Sequence, residues 1–248
     1  MRDFLGVIPA RFKSSRFPGK PLVDILGLPM IIRVAQQTEK ALGKEGFVVA
    51  TDDIRIAEVV EKYGYQFIMT GDEHPTGTDR IWEVAQKIES KIYINIQGDE
   101  PIIDPEDILR ILRKKEEFPN AIVNGYAPLN ENEDPHSLNI PKVAISKSGK
   151  LMYMSRLAIP GIKSSTNTLP NYLKQVSVYA FNRIELEAFG THQGKSECES
   201  FEDIEIVRFL ELDFPVQMVE LSGNTVAVDV EDDVKMVEQY LMKKSNGV

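Results

Sequence analysis

Short apolar runs alternate with longer amphipathic segments along the first half of the chain. Strands are predicted at 4–10, 47–52, 66–70 and 91–97, and helices at 29–42, 53–63, 79–88 and 104–118. This alternation is typical of βαβ units on a largely parallel sheet. The run at 91–97, KIYINIQ, is apolar almost throughout, which indicates a strand buried on both faces.

The pattern changes after Pro119. Strand-like segments at 121–129, 142–155 and 173–182 are separated by polar turns, which favours antiparallel pairing. The remaining predicted elements are a helix at 201–212, strands at 216–221 and 225–229, and a closing helix at 230–244 with Val230, Val234, Val237 and Leu241 on one face. The sequence therefore predicts one α/β domain over residues 1–248, with a smaller β-rich part embedded at about 130–200.

Composition and charge narrow the class of protein. The chain has 248 residues, of which 42% are hydrophobic and 27% charged, as in ordinary globular proteins. A net charge of −9 disfavours a nucleic-acid binder, which needs a basic surface. The sequence contains neither an apolar run of about 18 residues nor a cleavable leader, so we expect a cytoplasmic protein without membrane insertion. The one cysteine, Cys198, excludes an intrachain disulfide and every Cys-x-x-Cys site.

Positive charge is concentrated directly after the first predicted strand. The segment PARFKSSRFPGKP, at 9–21, contains no acidic residue and four cationic ones, Arg11, Lys13, Arg16 and Lys20. Ligands bind open α/β sheets at the carboxyl ends of strands, and serine and glycine leave backbone N–H groups accessible to an anion. A phosphate-binding loop is one interpretation, and a solvated basic loop is the alternative. The segment is not a Walker A loop, and the sequence has no Gly-x-Gly-x-x-Gly motif.

Two acidic residues follow predicted strands at the same edge of the sheet. Asp99 follows the strand at 91–97, and Asp229 ends the strand at 225–229. Magnesium takes oxygen ligands, usually one or two carboxylates plus substrate phosphates. A polar turn at Asp99 and a helix N-cap at Asp229 are the alternatives. Together with the basic loop, the two carboxylates predict a site for a nucleoside triphosphate with Mg²⁺.

A third motif, HPTGTDR at 74–80, lies between a predicted strand and a predicted helix. Thr78 or Asp79 as the N-cap of that helix is one interpretation. The other is that the Thr-Gly-Thr backbone approaches a flat base closely, because glycine has no side chain to block it. The spacing of the motif does not decide between them.

In order and spacing, these motifs resemble those of the cytidylyltransferases that activate 3-deoxy-manno-octulosonate (KDO), the CMP-KDO synthetases. The resemblance is carried by PARFKSSRFPGKPL, VATDD, HPTGTDR and NIQGDEP, and it continues through NIPKVAISKSGKLMYMSRLAIP, YLKQVSVYAF and FEDIEIVRFLE to VAVDVEDD. It implies a Rossmann-like nucleotidyltransferase fold with a largely parallel central sheet and a smaller β-rich dimerisation part. It also implies a homodimer that uses CTP and Mg²⁺ to activate a sugar acid, with loss of pyrophosphate, for lipopolysaccharide or other cell-surface polysaccharide synthesis.

The resemblance also implies roles for individual residues. The implied nucleotide contacts are Ala10, Arg11, Ser14, Arg16, Lys20, Thr76, Gly77, Arg80 and Gln97. The implied sugar contacts are Arg156, Gln175, Tyr179 and Glu205, and the implied metal ligands are Asp99 and Asp229. Lys20, Arg11 and Asp99 are the expected catalytic residues.

The chain departs from the family at Gln175, where the family usually has a histidine. The identity of the sugar acid is therefore less constrained than the type of reaction. An 8-amino KDO or another acidic sugar is the first alternative, and a nucleotide-binding homologue without catalysis is the second. The sequence leaves open whether one or two Mg²⁺ ions bind.

Overall fold

Strands and helices alternate through the first half of the chain, as predicted. The computed structural model describes residues 1–13, 17–131, 133–163 and 170–245. The strands are β1 (Arg2–Ala10), β2 (Asp24–Ile25), β3 (Leu28–Pro29), β4 (Phe47–Thr51), β5 (Phe67–Met69), β6 (Ser90–Ile96), β7 (Ile122–Pro128), β8 (Lys142–Ile145), β9 (Leu151–Ser155), β10 (Leu173–Phe181) and β11 (Val216–Glu220). The helices are α1 (Met30–Leu42), α2 (Ile54–Lys62), α3 (Gly77–Lys87), α4 (Pro105–Glu117), α5 (Arg183–Thr191), α6 (Glu197–Glu202), α7 (Glu205–Glu211) and α8 (Glu231–Ser245).

The main sheet has the strand order β11-β7-β10-β6-β1-β4-β5. Parallel pairing joins β6, β1, β4 and β5, which confirms the parallel sheet predicted for the first half. β10 runs antiparallel to both β6 and β7, while β8 and β9 form an antiparallel pair at the end of β10. The antiparallel pairing predicted after Pro119 is therefore present, and β10 carries it into the middle of the main sheet.

Helices cover both faces of this sheet. Successive residues of β1 point to opposite faces, so Ile8 packs with α1, α2 and α4, and Val7 packs with α3, α5 and α7. Both side chains are fully buried. Each fully buried large apolar side chain stabilises the fold by about 1.5–3 kcal/mol, so the two layers hold the sheet from both sides.

The strand order reverses between β1 and β6. From β1 the chain proceeds to β4 and β5 on one side, and it then returns through α3 to β6 on the other side. The loops that leave the carboxyl ends of β1 and β6 therefore diverge and leave a crevice, which is where open α/β sheets bind ligands. The basic segment follows β1, and Asp99 follows β6.

The strand predicted at 225–229 is absent. Val228 is fully buried in a cluster with Ile25, Met30, Ile102 and Val237, and the Val228 N–H donates to the carbonyl of Asp99. The alternating apolar residues Val226 and Val228 therefore pack against α1 and α8, and they do not pair with any strand that the structure describes. Asp229 consequently reaches the sheet edge from a loop, and not from the end of a strand.

Two helical predictions also differ from the structure. The helix predicted at 201–212 is divided into α6 and α7 at Asp203, whose φ of 51° places it in the left-handed region. Asparagine and aspartate adopt this conformation more readily than most residues do. Helix α5 was not predicted, although Asn182 and Glu185 form a capping box at its start. None of the helices in the described ranges is long and apolar enough to cross a membrane.

Candidate active site

A cleft of about 270 Å³ opens at the carboxyl ends of β1 and β6. The predicted site residues that line it are Ala10, Arg11, Lys20, Thr76, Gly77, Arg80, Gln97, Asp99, Glu205 and Asp229. Ser14 and Arg16 lie outside the described residues. Segments that are far apart in sequence therefore meet in one cleft, as the positions of the motifs at the ends of β1 and β6 predicted.

Within the basic segment, Gly19 lies directly against Phe12. The Gly19 N–H donates to the carbonyl of Phe12, and Gly19 has a φ of 73°, which glycine adopts at no steric cost. A side chain at Gly19 would also meet the Phe12 ring at 3.2 Å. The Arg55 guanidinium stacks 3.4 Å from the centroid of that ring and holds it in place. The turn directs Lys20 into the cleft.

Lys20 lies between the two predicted metal carboxylates. Its Nζ is 2.8 Å from Asp99 Oδ2 and 3.3 Å from Asp229 Oδ1. The Lys20 side chain is only 14% exposed, so solvent screens these contacts less than it would at the surface. The positive charge thus brings together two carboxylates that are separated by 130 positions in the sequence.

Local packing explains the position of Asp99. Gly98 precedes it, and a Cβ atom at Gly98 would lie 2.6 Å from the carbonyl oxygen of Pro9, so only glycine allows the ends of β1 and β6 to approach this closely. The hydrogen bond from Val228 to the Asp99 carbonyl is 2.9 Å long. It joins the segment that carries Asp229 to the turn that carries Asp99.

The carboxylate pair suits a hard divalent cation. Asp99 Oδ2 and Asp229 Oδ1 already share one cationic group, and carboxylate oxygens are the ligands that Mg²⁺ prefers. The described residues contain no group of three or more His, Cys, Asp or Glu side chains that could hold a metal. Two protein carboxylates completed by phosphate oxygens and water match the usual coordination of Mg²⁺ with a nucleotide.

The turn at the start of α3 also lines the cleft. Thr76 is the N-cap, and its hydroxyl accepts from the Asp79 N–H while Asp79 Oδ2 accepts from the Thr76 N–H, both at 3.2 Å. The predicted caps, Thr78 and Asp79, are therefore wrong, because the capping box begins at Thr76. Gly77 packs against the amide of Gln97, 3.2 Å from where a Cβ atom would lie.

Glu205, at the start of α7, binds this same turn. Its carboxylate accepts from the backbone N–H of Gly77 at 3.0 Å, and from both the N–H of Thr78 at 3.1 Å and the Thr78 hydroxyl. Burial raises the pKa of Glu205, although these hydrogen bonds oppose the shift. An anion at a helix N-terminus is favoured by the unpaired N–H groups there. Glu205 therefore fixes the turn that lines the cleft.

Arg80 lies one turn into α3 and is almost completely buried. Its guanidinium donates to the carbonyl of Gly71 at 3.1 Å, to the Thr70 hydroxyl and to Asp52 Oδ2 at 3.2 Å. Burial lowers the pKa of Arg80, and Asp52 opposes that shift. Because Asp52 belongs to the VATDD motif, directly after β4, this motif serves to orient Arg80.

His74 also lines the cleft, and Glu83 on α3 orients it. His74 Nε2 is 2.5 Å from Glu83 Oε2. Partial burial opposes ionisation of Glu83, but hydrogen bonds from Lys87, His74 and the Gly71 N–H outweigh it and lower the pKa of Glu83 to about 2. The ionised form of Glu83 thus stabilises the folded state.

Replacing Glu83 with glutamine tests this stabilisation. The folded pKa lies below the ordinary value of 4.5, so the contribution is complete above pH 4.5 and is lost as the pH falls towards 2. We expect Glu83→Gln to lower the free energy of unfolding by about 2 kcal/mol at pH 7, with a smaller difference at pH 3. Urea denaturation at both pH values measures it, with Glu106→Gln as the exposed control. A difference independent of pH would contradict the prediction.

Known proteins match this chain over nearly its full length. Residues 5–239 match the family described as Cytidylyltransferase. A 3-deoxy-manno-octulosonate cytidylyltransferase of Parabacteroides distasonis is 37% identical over 98% of this chain and 100% of its own. The relative of that name from Leptospira interrogans is also 37% identical, over 98% of each chain. The chain belongs to the 3-deoxy-manno-octulosonate cytidylyltransferase family.

Solved structures agree with this assignment. CMP:2-keto-3-deoxy-manno-octonic acid synthetase complexed with CTP matches with a TM-score of 0.89 at 33% identity, covering 97% of this chain and 99% of that one. A glucose-1-phosphate thymidylyltransferase from Bacillus anthracis, 16% identical over 96% of this chain and 94% of its own, shares the fold with a TM-score of 0.66. The Rossmann-like nucleotidyltransferase fold expected from the sequence is confirmed.

The remaining sugar residues implied by resemblance to KDO cytidylyltransferases are not among the cleft-lining residues that the structure describes. The Arg156 guanidinium donates to the carbonyls of Leu138, Glu202 and Asp203, with Nη1 2.8 Å from the Leu138 oxygen. These bonds join the end of β9 to the α6–α7 turn. Because Asp203 lines the cleft, these hydrogen bonds from Arg156 stabilise a part of the cleft lining.

Gln175 and Tyr179 lie on one face of β10. The Gln175 amide Nε2 is 3.1 Å from Asn124 Oδ1 and 3.3 Å from the Tyr179 hydroxyl. Asn124 is fully buried and donates to the carbonyls of Val176 and Val178 across an irregularity in the β7–β10 pairing. Asn124 and Tyr179 therefore both bind the Gln175 amide nitrogen, and the Gln175 side-chain carbonyl oxygen can accept a hydrogen bond.

Sequence reasoning missed a group of cleft residues near α6. Lys195, Glu199 and Asp203 also line the cleft. No motif marks them, and α6 itself was placed four residues late within a longer predicted helix. Their position depends on the left-handed residue that separates α6 from α7.

Proposed function

We propose that this chain transfers CMP from CTP to KDO, or to a close 3-deoxy-2-ulosonic acid, and releases pyrophosphate. The observation that carries the proposal is that Lys20, Asp99 and Asp229 meet at the point where the strand order reverses. Family membership and the 33% identity to a synthetase complexed with CTP support the choice of nucleotide and sugar.

The reaction joins two negatively charged substrates. The anomeric hydroxyl oxygen of the sugar attacks the α-phosphorus of CTP and loses its proton to solvent, the bond from that phosphorus to the bridging oxygen breaks, and pyrophosphate leaves. Charge neutralisation dominates such phosphoryl chemistry. Lys20 and Arg11 offset charge on the triphosphate from the β1 side of the cleft, and Ser14 and Arg16 belong to the same proposed loop.

The base and the metal are held at separate parts of the cleft. Ala10, Thr76, Gly77, Arg80 and Gln97 surround the space proposed for cytidine. Asp99 and Asp229 would hold Mg²⁺, which would supply neutralisation of the phosphate oxygens. The hydrogen bond from the Val228 N–H to the Asp99 carbonyl keeps the segments that carry the two carboxylates together, so both can bind one ion.

The segment at about 130–200 is proposed to form the sugar side and a dimer contact. Around β9 and α6, Met152, Leu157 and Phe201 are 62%, 65% and 85% exposed. Exposed apolar residues that cluster are typical of protein interfaces. A homodimer formed through this part would cover them.

An amino-substituted sugar acid is the second candidate substrate. Gln175 is the observation that favours it, because its amide nitrogen is held by Asn124 and Tyr179. Its carbonyl oxygen can accept a hydrogen bond from a substrate ammonium or hydroxyl group. A site built around one such hydrogen bond can reject analogues that lack it by up to about 10⁴–10⁵-fold.

Pyrophosphate release with a panel of sugar acids tests the function. We expect release from CTP in the presence of KDO or its 8-amino analogue, and none without a sugar acid. A chain that binds CTP but never releases pyrophosphate would be a non-catalytic homologue. Gln175→His should change the ranking of KDO against the amino analogue by about tenfold or more. An unchanged ranking, with KDO as the best substrate of the natural chain, would reject altered specificity.

A further inference from the structure

A buried arginine joins two segments that line the cleft, the turn that begins α3 and the helix α6. Arg208, on α7, is fully buried, and its Nε and Nη2 bind the two carboxylate oxygens of Glu199 at 2.6 and 2.8 Å. Its Nη1 is 3.0 Å from Asp79 Oδ1, and the guanidinium stacks 3.7 Å from the centroid of the Phe189 ring. The planar fork of an arginine can serve both carboxylates at once.

The Asp79 contact connects Arg208 to the turn at the start of α3, which is proposed to face the nucleotide. Asp79 Oδ2 accepts from the hydroxyl of Thr76 at 2.7 Å, while its Oδ1 accepts from Arg208. One carboxylate therefore connects the capping residue of α3 with α7. Glu205, three positions before Arg208 on the same helix, binds the next two backbone N–H groups of that turn.

The Glu199 contact leads to α6. Glu199 is fully buried on α6 and lines the cleft with Asp203 and Lys195. Its Oε2 also accepts from the Ser196 N–H at 3.0 Å, in the turn that begins α6. Arg208 thus contacts, through two carboxylates, both the turn that begins α3 and the start of α6.

We propose that Arg208 is a positioning residue that sets the spacing of two segments of the cleft lining, the turn that begins α3 and the helix α6, and so couples the binding of CTP to that of the sugar acid. This inference rests on the proposed function, because α6 is taken to face the sugar. Without Arg208, Asp79 and Glu199 would be two buried carboxylates with no shared counter-ion. They would repel each other, and the two segments would lose their common support.

Arg208→Lys is the first test, because it keeps the charge but replaces a fork with a single ammonium. We expect the KM values for CTP and for the sugar acid both to rise, and kcat/KM for CTP to fall by about tenfold to a hundredfold. Asp79→Asn should raise mainly the KM for CTP. The double variant should lose less than the product of the single losses, because both changes remove the same contact.

A matched buried ion pair provides the control. Lys115 Nζ and Glu185 Oε2 are 2.7 Å apart and nearly fully buried, at the amino end of β7 and hence at the opposite edge of the sheet. Glu185→Gln should lower the melting temperature while leaving both KM values unchanged. If Arg208→Lys behaves like this control, Arg208 serves stability alone and the proposal is wrong.

Calorimetric titration of CTP tests the role of Arg208 separately from the proposed function, because it measures CTP binding without requiring turnover. If the natural chain binds CTP but releases no pyrophosphate, the proposed function fails, and weaker CTP binding by Arg208→Lys and Asp79→Asn still supports the positioning role. Unchanged CTP affinity in both variants, in protein shown to be folded by circular dichroism, would overturn it.

Discussion

Asp99→Asn and Asp229→Asn are each expected to reduce pyrophosphate release by a thousandfold or more, because each removes one of two charges proposed to hold Mg²⁺ at the α-phosphate. The side-chain shape is retained, and the two carboxylates are 26% and 43% exposed, so the melting temperature should change little. Initial rates at saturating CTP, measured across a range of Mg²⁺ concentrations, give the size of the loss.

Asp232→Asn is the matched control for these two variants. Asp232 is 85% exposed on α8, close in sequence to Asp229, and pairs with Lys235 at 2.8 Å. This variant should retain the natural rate. Near-normal turnover of Asp99→Asn or Asp229→Asn in Mg²⁺ would show that the substituted residue is not a metal ligand.

Lys20→Ala is expected to slow turnover by about a hundred- to a thousandfold, which corresponds to about 3–4 kcal/mol of transition-state stabilisation. Lys20 Nζ contacts both carboxylates, and charge grows on the phosphate oxygens as pyrophosphate leaves. The KM for CTP should change far less than kcat. Steady-state kinetics with varied CTP separates the two quantities.

Lys91→Ala provides the control for loss of a lysine that forms an ion pair. Lys91 is 58% exposed and pairs with Asp3 at 2.7 Å, away from the cleft. If Lys20→Ala raised only the KM for CTP, Lys20 would bind the ground state and the transition state equally. Lys20→Arg should recover part of the rate, because it restores the charge with a bulkier group.

Local sequence patterns predicted much of this fold and site. The ends of β1 and β6 could be placed because apolar runs stop there at Pro-Ala-Arg and at Gln-Gly-Asp, and parallel pairing then brings both ends to one edge. This placement predicted that the residues directly after β1 and β6 line one cleft. Their contacts, such as Lys20 between two carboxylates, needed the three-dimensional arrangement.

The errors arose where packing between distant segments decides the structure. The alternation of Val226 and Val228 is the pattern of a strand, but α1 and α8 provide the apolar surface that buries them. The break at Asp203 and the partners of Arg208 depend on helices from three regions of the chain. No local periodicity contains that information.

The bridge from Lys20 to Asp229 has a consequence for biosynthesis. Asp229 follows every other cleft residue in chain order, so the ribosome delivers it last. The strands of the main sheet, Lys20 and Asp99 are all synthesised before the loop in which Val228 packs among Ile25, Met30 and Ile102. In the proposed site, the second metal ligand is therefore added to the chain only after every strand of the sheet beneath it.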